Sequence, residues 1–118
     1  MDFPELHLLE QDFRAGPRLD VPNCTLAELG RSGLLKAVTP GQTVLVTAGS
    51  RGVGCRTEVL RAVVEAVKTR GARPVILPAM GSHGGGTAAG QIELLRHLGQ
   101  TPETLGAPIH DRMEPVQV

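Results

Sequence analysis

Apolar and polar positions along the chain alternate between two periods, and each change of period marks an element. The β-branched run Thr-Val-Leu-Val-Thr-Ala at residues 43–48, entered from the turn Thr39-Pro40-Gly41-Gln42, predicts a buried strand. From about Arg56, residues Val59, Leu60, Val63, Val64 and Val67 share one helical face that Gly71 would cap. Glu58, Arg61, Glu65 and Lys68 fall largely off it. A second apolar run, Pro74 to Ala79, predicts another strand, and residues 88–98 return to helical spacing up to Gly99. Thr101-Pro102-Glu103 predicts a short turn of helix, because proline is preorganised for the first helical position. Glu114 to Val118 reads as the start of a further strand.

The first 41 residues are patterned less regularly and form a lead-in. Leu6 to Phe13 alternates imperfectly and is taken as a first strand, ended by Ala15-Gly16-Pro17. Thr25 with Glu28 three residues on has the form of a capping box, and predicts a helix from Leu26 to about Ala37, weakened by Gly30 and Gly33.

Strands alternating with helices at these lengths predict one α/β domain over residues 1–118. Its sheet would be mostly parallel, with right-handed crossovers and helices on both faces in a Rossmann-like three-layer arrangement. In such sheets the loops leaving the carboxyl ends of the strands share one edge, where ligands bind. The loops after residues 48 and 79 are both of this kind.

A chain of 118 residues is long enough to bury a core, and that core must be aliphatic: the sequence has no Trp or Tyr, and its two Phe are Phe3 and Phe13. Twelve basic side chains balance twelve acidic ones, without the basic footprint or the stacking aromatics of a nucleic-acid binder. No apolar run reaches the roughly 20 residues of a membrane span. Two cysteines, Cys24 and Cys55, with no leader-like N-terminus point to the reducing cytoplasm. The chain stops as a strand is beginning, so the expectation is an N-terminal piece of a longer protein.

The first loop, Gly49-Ser50-Arg51-Gly52-Val53-Gly54, is neither a dinucleotide fingerprint nor a Walker loop. Its glycines would let backbone N–H groups approach an anion, and Arg51 can grip a carboxylate or phosphate with two parallel hydrogen bonds. Alternatively, the glycines serve a tight turn and Arg51 is solvated. In the second loop, His83 stands among Gly81, Ser82, Gly84, Gly85, Gly86 and Thr87. Histidine exchanges protons near neutral pH, and so many glycines are costly unless the backbone needs unusual angles or a ligand needs access. The plainer reading is a surface histidine in a flexible loop.

His97 suits the carboxyl end of a helix in a structural role, and His7 and His110 have no partners in sequence. No His, Cys, Asp and Glu cluster has metal-ligand spacing. Ser50 and Ser82 lie outside a nucleophile elbow and read as hydrogen-bonding loop residues, and Cys55 reads as helix packing.

Three stretches together carry a resemblance: Gln-Thr-Val-Leu-Val-Thr-Ala-Gly-Ser-Arg-Gly from Gln42, Gly-Ala-Arg-Pro-Val-Ile-Leu-Pro-Ala-Met-Gly-Ser-His-Gly-Gly-Gly-Thr-Ala from Gly71, and Leu-Gly-Gln-Thr-Pro-Glu-Thr-Leu-Gly-Ala-Pro-Ile from Leu98. In order and spacing they resemble the N-terminal domain of the nickel-dependent lactate racemase family over roughly residues 42–118. The resemblance implies racemisation or epimerisation of a 2-hydroxy acid by hydride transfer through a nickel-pincer nucleotide, with two histidines as general acid and base. Gly81-Ser82-His83 matches the family's Gly-Thr-His, which makes His83 one of those histidines. Ser50-Arg51 matches its Thr-Arg pair, which makes Arg51 the carboxylate-binding residue. Family members carry Asp and Pro where this chain has Ala48 and Gly52, and Arg-Pro-Met where it has the glycine run, which implies a hydroxy acid other than lactate.

The resemblance places the second histidine, the lysine that tethers the cofactor and the nickel-binding histidine beyond Val118. The piece alone is therefore expected to be inactive and to retain no cofactor. Its partners would be the 2-hydroxy acid and the remainder of the same protein, and a homo-oligomer is compatible. Two other classes compete: a non-catalytic module binding phosphate or carboxylate through the two glycine loops, and a protein-interaction domain with no small-molecule site.

Overall fold

A computed structural model of the chain describes residues 4–112. Residues 43–48 pair with residues 73–78 because both runs present β-branched or apolar side chains to a common layer. The strands β1 (Thr43–Ala48) and β2 (Arg73–Pro78) lie parallel and in register, with Val46 opposite Ile76 and Ala48 opposite Pro78. The crossover between them is α2 (Arg56–Thr69), preceded in the chain by α1 (Val21–Ser32) and a 3-10 turn over Leu34–Ala37. After β2 come a 3-10 turn over His83–Gly86, α3 (Ala88–His97) and α4 (Pro102–Leu105). The fold is thus a mixed α/β one built on a two-stranded parallel sheet.

The core lies between the sheet and its helices. Ala48 and Ile76 of the sheet, Leu60 and Val64 of α2, Leu95 of α3 and Leu105 of α4 form one buried cluster, with Val46, Leu94 and Ile109 packed against it. All of these strand residues belong to one face of the pleat. The opposite face carries Thr43, Leu45 and Thr47, all exposed, and Val75 and Leu77, half-buried; Leu45 is 58% exposed. The described residues therefore make two layers, with helices on one face rather than on both.

Two expectations change. Residues 6–13 form no strand; they are exposed throughout, the large apolar side chains of Leu6, Leu8, Leu9 and Phe13 included. The first helix begins earlier than Leu26, because Asp20 is its N-cap, accepting from Asn23 N–H at 3.2 Å, with Pro22 in the first turn. Thr25 instead lies within α1, where its hydroxyl donates to the Val21 carbonyl at 2.8 Å. Gly33, left-handed at φ 71°, ends α1 and sets the following 3-10 turn apart from it. The expected strand over residues 114–118 lies outside the described residues. Among the described residues, a parallel bridge joins Ile76 and Ile109 on the free side of β2.

Candidate functional site

The two strands end side by side. β1 stops at the fully buried Ala48 and leaves the sheet as Gly49-Ser50-Arg51, while β2 stops at Pro78 and continues to His83. Beyond the last strand residues the exits remain joined, since Ala79 N–H donates to the Ala48 carbonyl at 2.8 Å. Neighbouring parallel strands so deliver Ser50, Arg51 and His83 to one edge, as loops at strand carboxyl ends must be.

His83 is half-buried and engaged at both ring nitrogens. Ser50 Oγ lies 2.5 Å from Nδ1, and Arg51 Nε donates to Nε2 at 3.1 Å, with a second guanidinium nitrogen also on Nε2. Arg56, from the first turn of α2, donates to the Arg51 carbonyl and braces the loop from the helix side. Gly49, Ser50, Arg51, Ala79, Met80 and His83 line an open cleft of about 290 Å³. A larger cleft of about 490 Å³ between α1 and α2 is lined chiefly by Cys24, Leu29, Val59 and Val63 and offers no comparable set of convergent polar groups.

The loop that carries His83 is held from behind. Gln91, 3% exposed, donates from Nε2 to the Gly81 carbonyl at 2.7 Å. Thr87 caps α3: its Oγ1 accepts from Gly90 N–H at 3.1 Å and donates to the Gly84 carbonyl at 3.3 Å. Gly81, Gly84, Gly85 and Gly86 all have positive φ, between 58° and 70°, a region that side chains disfavour. The expensive glycines of the sequence thus turn the chain on either side of His83, with Gly84, Gly85 and Gly86 between it and α3.

Of the residues singled out in sequence, Gly49, Ser50, Arg51 and His83 come together in the cleft. Gly52, Gly81, Ser82, Gly84, Gly85, Gly86 and Thr87 are not part of its lining; Gly81, Gly84 and Thr87 act in the support described above. His97 donates through Nδ1–H to the Glu93 carbonyl, 2.9 Å away, within its own helix. Cys24 and Cys55 are free thiols. Arg56, Gly90 and Gln91 were not identifiable as site residues from composition or spacing. A signal existed only for Gly90, since glycine in a helix costs about 1 kcal/mol against alanine and so calls for a packing reason.

The cleft brings a guanidinium, an imidazole and a hydroxyl within reach of one small ligand. Such a set can clamp an anion and exchange a proton with it. Compared with protein-family models, with curated proteins and with solved structures, the chain finds no match.

Proposed function

We propose that the chain is the N-terminal α/β part of a lactate racemase-like enzyme that racemises or epimerises a 2-hydroxy acid. Arg51 binds the substrate carboxylate, and His83 exchanges a proton with the substrate hydroxyl. One observation carries this reading: Arg51 and His83 come from separate strands and meet in the same cleft, where a carboxylate and its neighbouring hydroxyl would lie side by side.

In the family that the sequence resembles, a nickel-pincer nucleotide accepts and returns the hydride. Among the described residues no group of three His, Cys, Asp or Glu could hold a metal ion. These residues do not make a nickel site, and their part in the reaction is confined to binding the acid and moving a proton. The second histidine, the tethering lysine and the nickel ligand belong, in this reading, to the remainder of a longer chain. That remainder or a second copy would cover the Leu45 face of the sheet and complete a Rossmann-like three-layer arrangement. No described helix is long and apolar enough to cross a membrane, and a cytoplasmic enzyme is the proposed setting.

A histidine-resolved NMR titration of the 118-residue chain with 2-hydroxy acids and with nucleotide phosphates tests the reading. Hydroxy acids are expected to shift the His83 ring signals. Replacing Arg51 with Ala should weaken that binding by roughly 10- to 100-fold, the worth of a hydrogen-bonded charge. Phosphate binding that leaves His83 unmoved would instead support a non-catalytic anion-binding module.

A further inference from the structure

Ser50 and Arg51 hold different nitrogens of one imidazole, and the two partners are chemically unequal. A guanidinium has donors only. With Arg51 Nε–H pointing at Nε2 from 3.1 Å, that nitrogen must offer its lone pair. A neutral imidazole accepting at Nε2 carries its proton at Nδ1, where the partner is a hydroxyl able to accept it: Ser50 Oγ, at 2.5 Å. The Ser50 contact is part-buried and the Arg51 contact exposed, so Nε2 is the outward nitrogen.

We infer that Arg51 and Ser50 set the His83 tautomer in the ligand-free chain: Arg51, which can only donate, requires the Nε2 lone pair, and the Ser50 hydroxyl oxygen accepts from Nδ1–H. This rests on the proposed function only in naming Nε2 as the atom that takes the substrate's hydroxyl proton once Arg51 has moved from Nε2 to the substrate carboxylate. The choice of tautomer needs enforcing, because an unconstrained neutral histidine favours the opposite form, with the proton on Nε2. Left to itself, His83 would present an N–H to the cleft and could not act as a base there. Ser50 reaches Nδ1 because it leaves β1 directly beside the β2 exit, with the Ala79 to Ala48 hydrogen bond holding the two loops in step.

Long-range proton–nitrogen NMR of the ligand-free 118-residue chain, labelled at histidine and recorded above about pH 8 where imidazole is neutral, reads the tautomer directly. His83 is identified by loss of its peaks in His83→Gln. The expected wild-type pattern is a protonated-type Nδ1 with a lone-pair-type Nε2. Arg51→Ala should shift both nitrogens toward the Nε2–H pattern, and Arg51→Lys, which again offers only donors, should restore the wild-type one. A wild-type ring already in the Nε2–H form overturns the inference whether or not any variant folds, and so does a folded Arg51→Ala whose ring signals do not move. Adding 2-hydroxy acids separates the two claims. An Nδ1–H tautomer with no response to any acid sinks the racemase reading and leaves this one standing, whereas acid binding to an Nε2–H ring does the reverse.

Discussion

Gly84 and Gly90 pass backbone against backbone, so closely that neither position has room for a side chain. A Cβ on Gly84 would overlap the Gly90 carbonyl and sit 2.6 Å from the Gln91 nitrogen, and one on Gly90 would overlap the Gly84 oxygen and sit 2.7 Å from its carbonyl carbon. This contact seats the turn that carries His83 on the first turn of α3. It also explains a glycine inside a helix that alanine would otherwise stabilise by about 1 kcal/mol.

The sign of that substitution is therefore reversed. Gly90→Ala is expected to destabilise the chain by about 1–3 kcal/mol, the usual cost of overpacking, in urea unfolding. Gly84→Ala should cost more, since its φ of 64° adds a left-handed backbone penalty of about 1–2 kcal/mol. Gly85, at φ 70° and with open space where a methyl group would go, should incur only the latter. A stabilised Gly90→Ala would mean that the turn does not dock on α3.

At the start of α1, Asp20→Ala should cost about 1 kcal/mol through loss of the N-cap, measured by thermal unfolding. Thr25→Ala should cost less, because its hydroxyl only returns a bond to a carbonyl already within the helix. The reverse order would restore Thr25 as the cap.

The difference between these two residues shows where the pattern was readable. β1, α2, β2 and α3 were legible because their apolar periodicity coincides with the face they bury, and the convergence of Ser50, Arg51 and His83 followed from both loops leaving parallel strands at the same end. Capping at Thr25 misled because a Thr and a Glu three residues apart satisfy the capping-box pattern wherever they fall. The stronger marker was Asp20 before Pro22, a cap with proline in the first turn. Leu6 to Phe13 misled for a different reason: alternation predicts a strand only where a neighbouring strand pairs with it. The Gly84 to Gly90 contact joins positions six residues apart through a turn whose angles no local pattern specifies.

The two faces of the sheet should respond unequally to substitution. Ile76→Ala, in the fully buried core, is expected to cost about 2–5 kcal/mol in urea unfolding of this chain. Leu45→Thr, on the uncovered face, should stay within about 0.5 kcal/mol. A large loss at Leu45 would show that this face is covered in the isolated chain.

Glu93 accepts two hydrogen bonds from Arg96, at 2.8 and 2.7 Å, and these hold its carboxyl below the ordinary 4.5. A carboxylate whose pKa is lowered by folding stabilises the fold above its unfolded pKa, and that contribution fades as pH falls through the lowered folded value. The pair is exposed, so the effect on stability is small and its site-specific titration is the better reading. NMR of the Glu93 side chain should give a midpoint under 4.5, and Arg96→Gln should move it back upward.

From Gly84 through Gly86 the chain that follows His83 presents no side chain, and around Gly85 and Gly86 there is open space. A ligand held by Arg51 and His83 whose tail extended past the cleft lining in that direction would meet only peptide groups, which register its outline but not the character of whatever substituent it bears. On the proposed reading, acids with small and bulky tails would therefore be admitted alike from this side, and any choice among them would have to be made by other parts of the protein.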